Sequence, residues 1–273
     1  MLKKITIWMI TLTMVMSCVF SRGGLFTASA DVTSNIVLNA AADAYVLNGQ
    51  ADTNFGSGQL MAGKSSTNDD RYLAYIKFDI TSNSSDYTRA KFSIVDKLPA
   101  SYEIDIYGVH DTAWTEEGIT WNNAPGRLED GYGFGEGTTY IGEIVFDGTV
   151  DCRGEIDITD YLQSRITAGD TFITIGISSE VLSSLGDRED WKGRYPQLTM
   201  GLDATELGDM IDTSKGLLAS TAVGSGEQEC SQEAKGKLEA AVFAAESVYL
   251  SFSSTKEEID LAYATISNAV AVF

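Results

Sequence analysis

The chain has 273 residues, 44% of them hydrophobic, with 39 acidic against 19 basic residues, a single histidine and three cysteines. A formal charge of −20 without any basic stripe excludes a nucleic-acid role, which needs clustered Lys and Arg to neutralise phosphates, and disfavours anionic membrane surfaces. The one histidine, His110, excludes a multi-histidine metal site.

Residues 1–30 read as an export signal. Lys3 and Lys4 give a positive start, residues 5–20 are almost wholly apolar, and Ala28-Ser29-Ala30 is a small-residue cleavage site. A secreted, extracellular protein is the expectation. Val15-Met16-Ser17-Cys18 resembles a lipobox, and lipid anchoring through Cys18 is the alternative. The apolar run is short for a membrane span and no later run matches it, so no membrane insertion is expected. All 39 acids follow Ala30, whereas Lys3, Lys4 and Arg22 precede it, so cleavage leaves a net charge of −23. Cys152 and Cys230 lack zinc-site spacing, and an isolated pair so far apart is expected to be two free thiols.

From residue 31 to about 203 the hydrophobic period is two. Tyr72, Ala74, Ile76, Phe78 and Ile80 alternate, although the opposite face with Leu73 and Tyr75 is partly apolar. Ala90, Phe92 and Ile94, then Ile104 and Ile106, then Ile173, Ile175 and Ile177 repeat the alternation. Shorter strands are expected at 36–38, 45–47, 140–146, 155–158 and 197–200, separated by turn-rich segments such as 65–70, 82–86 and 131–137. Many short strands without long intervening helices predict an antiparallel two-sheet sandwich, with the jelly roll favoured. After Asp203 the period becomes 3.6. Leu207, Met210, Ile211, Leu217 and Leu218 form one stripe, Leu238 to Phe252 a second, and Ile259 to Phe273 a third. Gly224-Ser225-Gly226 separates the first two helices, and Thr255 with Glu258 forms a capping box for the third. Residues 204–273 therefore read as a small three-helix bundle, with few contacts expected to the sandwich of residues 31–203.

The segment Asp111-Thr-Ala-Trp-Thr-Glu-Glu-Gly-Ile-Thr-Trp-Asn-Asn-Ala-Pro125 holds two of the four tryptophans and one of three prolines. It resembles the signature loop of the DNRLRE-type β-sandwich modules grouped with carbohydrate-binding module family 96. Further stretches resemble that family in the right order. They are Ala42-Asp43-Ala44-Tyr45-Val46, Asn54-Phe55-Gly56, Arg71-Tyr72-Leu73 leading to Lys77-Phe78-Asp79, the segment from Glu155 to Leu162, and Arg188-Glu189 with Tyr195-Pro196-Gln197-Leu198. The segment 155–162 is similar to the family's turn into a short helix. Asp187 stands where the family commonly has Ser. The C-terminal stripes resemble the FIVAR helical module, which implies a protein or cell-surface partner for the helices. The family resemblance implies a secreted polysaccharide-binding appendage and points towards an acidic, uronate-containing polymer, whereas the net charge argues for a neutral one.

The candidate site residues follow from chemistry. Trp114 and Trp121 could stack on sugar rings, but beside Asn122, Asn123 and Pro125 they read better as anchors of a long loop. Trp191 sits in the polar run 187–194, where an aromatic has less reason to be core, and is the stronger ligand candidate. Lys64, Arg71, Lys77, Arg188, Lys192 and Arg194 are conspicuous in so acidic a chain and suit the carboxylates of a uronate. For Arg188 a structural ion pair with its acidic neighbours is the competing reading. Asp43, Asp52, Asn54, Asp157 and Asp160 are oxygen-bearing positions near strand ends. A structural Ca²⁺ on Asp43, Asn54 and Asp157 is one reading and solvated turn acids the other. No residues are expected to be catalytic. His110 and Asp111 are neighbours on a strand and point apart, and no Gly-x-Ser-x-Gly elbow or phosphate-binding Gly loop occurs. A small polysaccharide lyase or glycoside hydrolase and a cell-surface or matrix adhesive protein are the rival functions.

Overall fold

The computed structural model describes residues 34–81, 86–129, 133–224, 226 and 229–273. The expected export signal over 1–30 with its Cys18, and parts of the turns expected at 82–86, 131–137 and 224–226, lie outside the described residues. The elements in chain order are β1 (Asn35–Asn39), β2 (Ala42–Leu47), β3 (Leu60–Lys64), β4 (Arg71–Asp79), β5 (Tyr87–Val95), β6 (Ser101–Val109), β7 (Thr138–Asp147), β8 (Arg153–Asp157), α1 (Thr159–Ala168), β9 (Phe172–Ser178), β10 (Ser183–Leu185) and β11 (Gln197–Leu202). Then come α2 (Thr205–Ser220), α3 (Gln232–Leu250) and α4 (Lys256–Val272).

One sheet runs β1-β11-β5-β8 and the other β10-β3-β4-β9-β6-β7, with β2 also laid along β4. Four antiparallel pairs are nested in sequence: β1 with β11, β4 with β9, β5 with β8, and β6 with β7. A long hairpin of nested pairs rolled into two sheets is the jelly roll, so the expected fold class is the observed one. Between the sheets Ala74, Ile76 and Phe78 of β4 meet Phe92 and Ile94 of β5 and the isoleucines of β6 and β9.

The second sheet is covered on its outer face as well. Leu73 and Tyr75 of β4, with Ala44 and Val46 of β2, pack under Trp114, Ile119, Trp121 and Phe134. The partly apolar second face of β4 is thus explained. The segment between β6 and β7 lies over it, and Tyr75 is edge-on to both Trp114 and Phe134. Parallel-sheet-like burial of both strand faces occurs here in an antiparallel sheet because the loop supplies a third layer.

The three C-terminal helices bury the predicted stripes at Leu207 and Ile211, at Leu238, Ala241, Val242 and Ala245, and at Ile259 and Ile266. The Thr255–Glu258 capping box is present. The helices are joined to the sandwich at the end of β11. The stripes join the same hydrophobic cluster as Met200 and Leu202, and Ser34–Phe273 forms one unit. Arg89 of β5 clasps the end of α3. Its Nε donates to the Leu202 carbonyl at 2.9 Å, another guanidinium N–H donates to the Tyr249 carbonyl, and the Phe252 ring lies 5.0 Å away. Gly201 completes the joint, since a Cβ there would lie 3.1 Å from the Phe252 ring. No helix among the described residues is long and apolar enough to cross a membrane. Cys152 and Cys230 are both free thiols.

Candidate functional site

Two loops carry three of the tryptophans. In the first, between β6 and β7, the rings point inward. Trp114 Nε1 donates to Thr174 Oγ1 at 3.1 Å, and Trp121 is buried. Backbone groups of this loop are met from outside it. Asn54 Nδ2 donates to the carbonyls of Glu116 and Ile119, each at 2.7 Å. Lys77 Nζ donates to the carbonyls of Thr112 (2.7 Å) and Trp114 and lies 4.5 Å from the Trp114 ring centroid. Burial lowers the Lys77 pKa, which the nearby Asp111 partly offsets. Trp114 and Trp121 are therefore anchors. Lys77 is buried with them and does not present its ammonium to solvent, because the face it lies on is covered by the loop.

In the second loop, after β10, the tryptophan points outward. Trp191 is 85% exposed. Its neighbours in sequence are held by ions. Lys97 Nζ sits 2.8 Å from Asp187 and 2.9 Å from Asp190, and Arg194 reaches Asp190 at 2.8 Å and Asp151 at 2.5 Å. Burial alone would raise the Asp190 carboxyl, but the hydrogen bonds from Arg194 and Lys97 outweigh it and hold the group well below the usual carboxylate range. The Asp190 carboxylate also accepts from the Lys192 amide at 2.9 Å, and the Arg188 amide donates to Asp43 Oδ2 at 2.7 Å. Trp191 is thus mounted between two fixed points. Lys192 is exposed, its ammonium 5.5 Å from the Trp191 ring centroid.

The expected basic island is not assembled. Lys64 lines an open cleft of about 670 Å³ with Ser65, Thr67, Asp69 and Glu180. Arg71 is buried beside it, 3.6 Å from Glu180. The β3–β10 ladder pairs Leu60 with Leu185 and Ala62 with Ser183, so Lys64 lies at the end away from Trp191 and Lys192. Arg188 bridges Glu116 at 3.0 Å and Glu189 at 2.6 Å, the structural ion pair considered from its acidic surroundings.

The oxygen-bearing residues also regroup. Asp157 ends β8 in the other sheet, where its carboxylate caps the Thr159 amide, and Asn54 spends its side chain on loop carbonyls and the Gly56 amide. Neither joins Asp43. Glu116 and Glu189 do, with carboxylate oxygens of all three within 4.8 Å of one another. Burial, then the like charges of Glu189, Asp187 and Glu116, push the Asp43 carboxyl up to about 7 against the pull of the Arg188 amide. Burial likewise raises Glu116, against the hydrogen bond and charge of Arg188. Three oxygen donors of this kind suit a hard cation such as Ca²⁺.

Sequence reasoning missed Lys97, Asp190 and Glu116. No local signal marks them, since Lys97 meets Asp187 from 90 positions away. The sequence did single out Trp191, through an aromatic placed among charges.

A jelly roll that displays one tryptophan on an immobilised loop, over a surface of polar groups, is the architecture of a carbohydrate-binding module. The match to known proteins is specific: the model of carbohydrate-binding module family 96 matches residues 34–194. The chain belongs to that family. It is also similar to a gellan lyase from a Bacillus species, with 24% identity over 203 residues covering 72% of this chain. The chain spans only 8% of the length of that protein.

Proposed function

We propose that this protein is a secreted, non-catalytic polysaccharide-binding protein whose sandwich holds a uronate-containing polymer through Trp191 and Lys192. The observation that carries this reading is the 85% exposure of Trp191 on a loop pinned at Asp187 and Asp190. Exposing an indole forgoes favourable burial, and a pinned loop costs no ordering entropy when a ligand arrives. A pyranose stacks its C–H face on the indole while its carboxylate meets the adjacent ammonium. Repulsion from the acidic remainder is screened beyond about 8 Å at physiological salt, so these local groups decide. Similarity to a gellan lyase is in keeping with polysaccharide association.

Binding is favoured over hydrolysis by the carboxylates themselves. Paired glycosidase carboxyls stand roughly 5–9.5 Å apart across a reachable bond. The Asp43 cluster is tighter, within 4.8 Å, and Asp43 is only 2% exposed. We assign that cluster to Ca²⁺, with Asp43, Glu116 and Glu189 as the oxygen donors in place of Asn54 and Asp157. A cation there would neutralise Asp43, sharing Glu116 and Glu189 with the Arg188 guanidinium, and so secure the Arg188 end of the Trp191 loop.

The test is calorimetric titration with hexameric polyguluronate, polyglucuronate and cellohexaose, each monitored in parallel for unsaturated or reducing-end products. Binding of a uronate hexamer that weakens as salt rises, without product, supports the reading. Salt-independent binding of cellohexaose alone, or product formation, would overturn it.

A further inference from the structure

We propose a second carbohydrate site, for an uncharged glycan, in the cleft where the sandwich meets the turn between α3 and α4. The cleft encloses about 490 Å³ and is lined from both parts of the chain. That volume falls within the roughly 300–1,000 Å³ of small-ligand sites. Tyr140 of β7 stands in it 52% exposed, on the sandwich side. Its hydroxyl donates to Glu143 at 3.1 Å and its ring meets Tyr107 edge-on at 5.3 Å, so the side chain is held in place while half of its surface faces the cleft and solvent. Tyr249, Leu250 and Phe252 line it from the helical part.

That side is built rigidly. Arg89 fixes it by donating to the Tyr249 carbonyl and by lying 5.3 Å from the Tyr249 ring and 5.0 Å from the Phe252 ring. Gly208 of α2 leaves room for the Tyr249 ring, which a Cβ would approach to 2.9 Å. The floor carries the carboxylates of Asp157 and Asp160, both exposed. Asp157 spends one oxygen on the Thr159 amide, and Asp160 makes no hydrogen bond among the described residues.

These groups define the ligand. The exposed surface of the Tyr140 ring suits the C–H face of a pyranose, the partly buried Tyr249 and Phe252 rings bound the space beside it, and carboxylate oxygens accept hydrogen bonds from its hydroxyls. Arg89, which lines the cleft, is already engaged with carbonyls and rings, and Lys91, whose ammonium lies 5.5 Å from the Phe252 ring, is paired with Glu155 at 2.7 Å. Two carboxylates without a free cation repel a uronate and select a neutral sugar. The helices are then part of a binding surface, and the chain carries two sites of opposite electrostatic preference.

The test uses the full chain labelled with ¹⁵N and titrated with cellohexaose, mannohexaose, β-1,4-galactohexaose and hexameric polyguluronate. One of the neutral hexasaccharides should shift the amide signals of Tyr140, Thr159 and Leu250. Tyr140→Ala should weaken that binding about tenfold, and Asp160→Asn should weaken it several-fold without changing the melting temperature. Trp191→Ala should leave it intact, which separates this site from the one proposed above. The proposal falls if no neutral hexasaccharide moves those signals, if polyguluronate moves them more tightly, or if Trp191→Ala abolishes the shifts.

Discussion

The loop between β6 and β7 and the loop after β10 both carry tryptophan, and they use it in opposite ways. The first loop spans the outer face of a sheet that would otherwise expose Leu73, Tyr75, Ala44 and Val46, so Trp114 and Trp121 are drawn inward to cover them. Its polar backbone is then satisfied by Asn54 and Lys77. The second loop is held around Trp191 by Lys97, Asp187, Asp190 and Arg194, whose ion pairs fix its course. Trp191 is left over from the structural task. Where ions hold the chain, an aromatic is free to meet a ligand; where an aromatic holds the chain, it is not.

The contrast can be broken in five places. Trp121→Ala should cost the most, about 4 kcal/mol of stability in a denaturant titration, since it empties the layer over the second sheet. A loss below about 1 kcal/mol would mean the layer is dispensable. Asp190→Ala should cost about 2 kcal/mol by leaving Lys97 with Asp187 alone and Arg194 with Asp151 alone, and hydrogen exchange over 187–194 should accelerate. Unchanged protection there would show that the ions do not hold the loop.

Asp43→Asn tests the joint between the loops through pH. The folded carboxyl, at about 7, lies above its ordinary value of 3.8. Its stabilising contribution is therefore present in full below pH 3.8 and is lost as pH climbs through 7. The Asn variant should flatten that slope and melt higher than the wild type at pH 8 in chelator. Added Ca²⁺ should raise the wild-type melt at pH 8 and leave the variant unmoved. Equal responses of the two proteins to Ca²⁺ would remove the cluster as the cation site.

Trp191→Ala should leave stability within about 0.5 kcal/mol and weaken binding of a uronate hexamer about tenfold. A destabilisation comparable to Trp121→Ala would erase the distinction between the loops. The smallest effect belongs to Lys192→Ala, a few-fold loss of affinity with a shallower dependence on salt. A salt dependence equal to that of the wild type would place the ligand's charge elsewhere.

Much of the fold was legible in the sequence because burial on one face imposes a period. Ile173, Ile175 and Ile177 marked β9, and the stripe at Leu238, Ala241, Val242 and Ala245 marked α3. Strand β3 escaped notice. Leu60-Met61-Ala62-Gly63-Lys64 has no β-branched residue, and Gly63 adopts φ 117 where a Cβ would collide with the Val181 carbonyl. Strand β10 is Ser183-Ser184-Leu185, too short for any period. For the site, Lys77 shows the limit of the method. Alternation told which face of β4 it occupies but not that another segment covers that face. The closeness of the helices to the sandwich was hidden for a related reason. A stripe records that a residue is buried, not whether a neighbouring helix or the Met200–Leu202 end of β11 buries it.

The pairing of β1 with β11 has a mechanical consequence. Asn35 lies opposite Gly201 and Asn39 opposite Gln197, so the start of β1 and the end of β11 share one end of an antiparallel ladder. Tension applied between residue 35 and the helices that follow β11 pulls both strands from that same end. Such a ladder peels, yielding its hydrogen bonds one after another instead of sharing the load. The Arg89 clasp on Leu202 and Tyr249 lies beside the point where peeling would begin. It braces that end of the ladder against peeling.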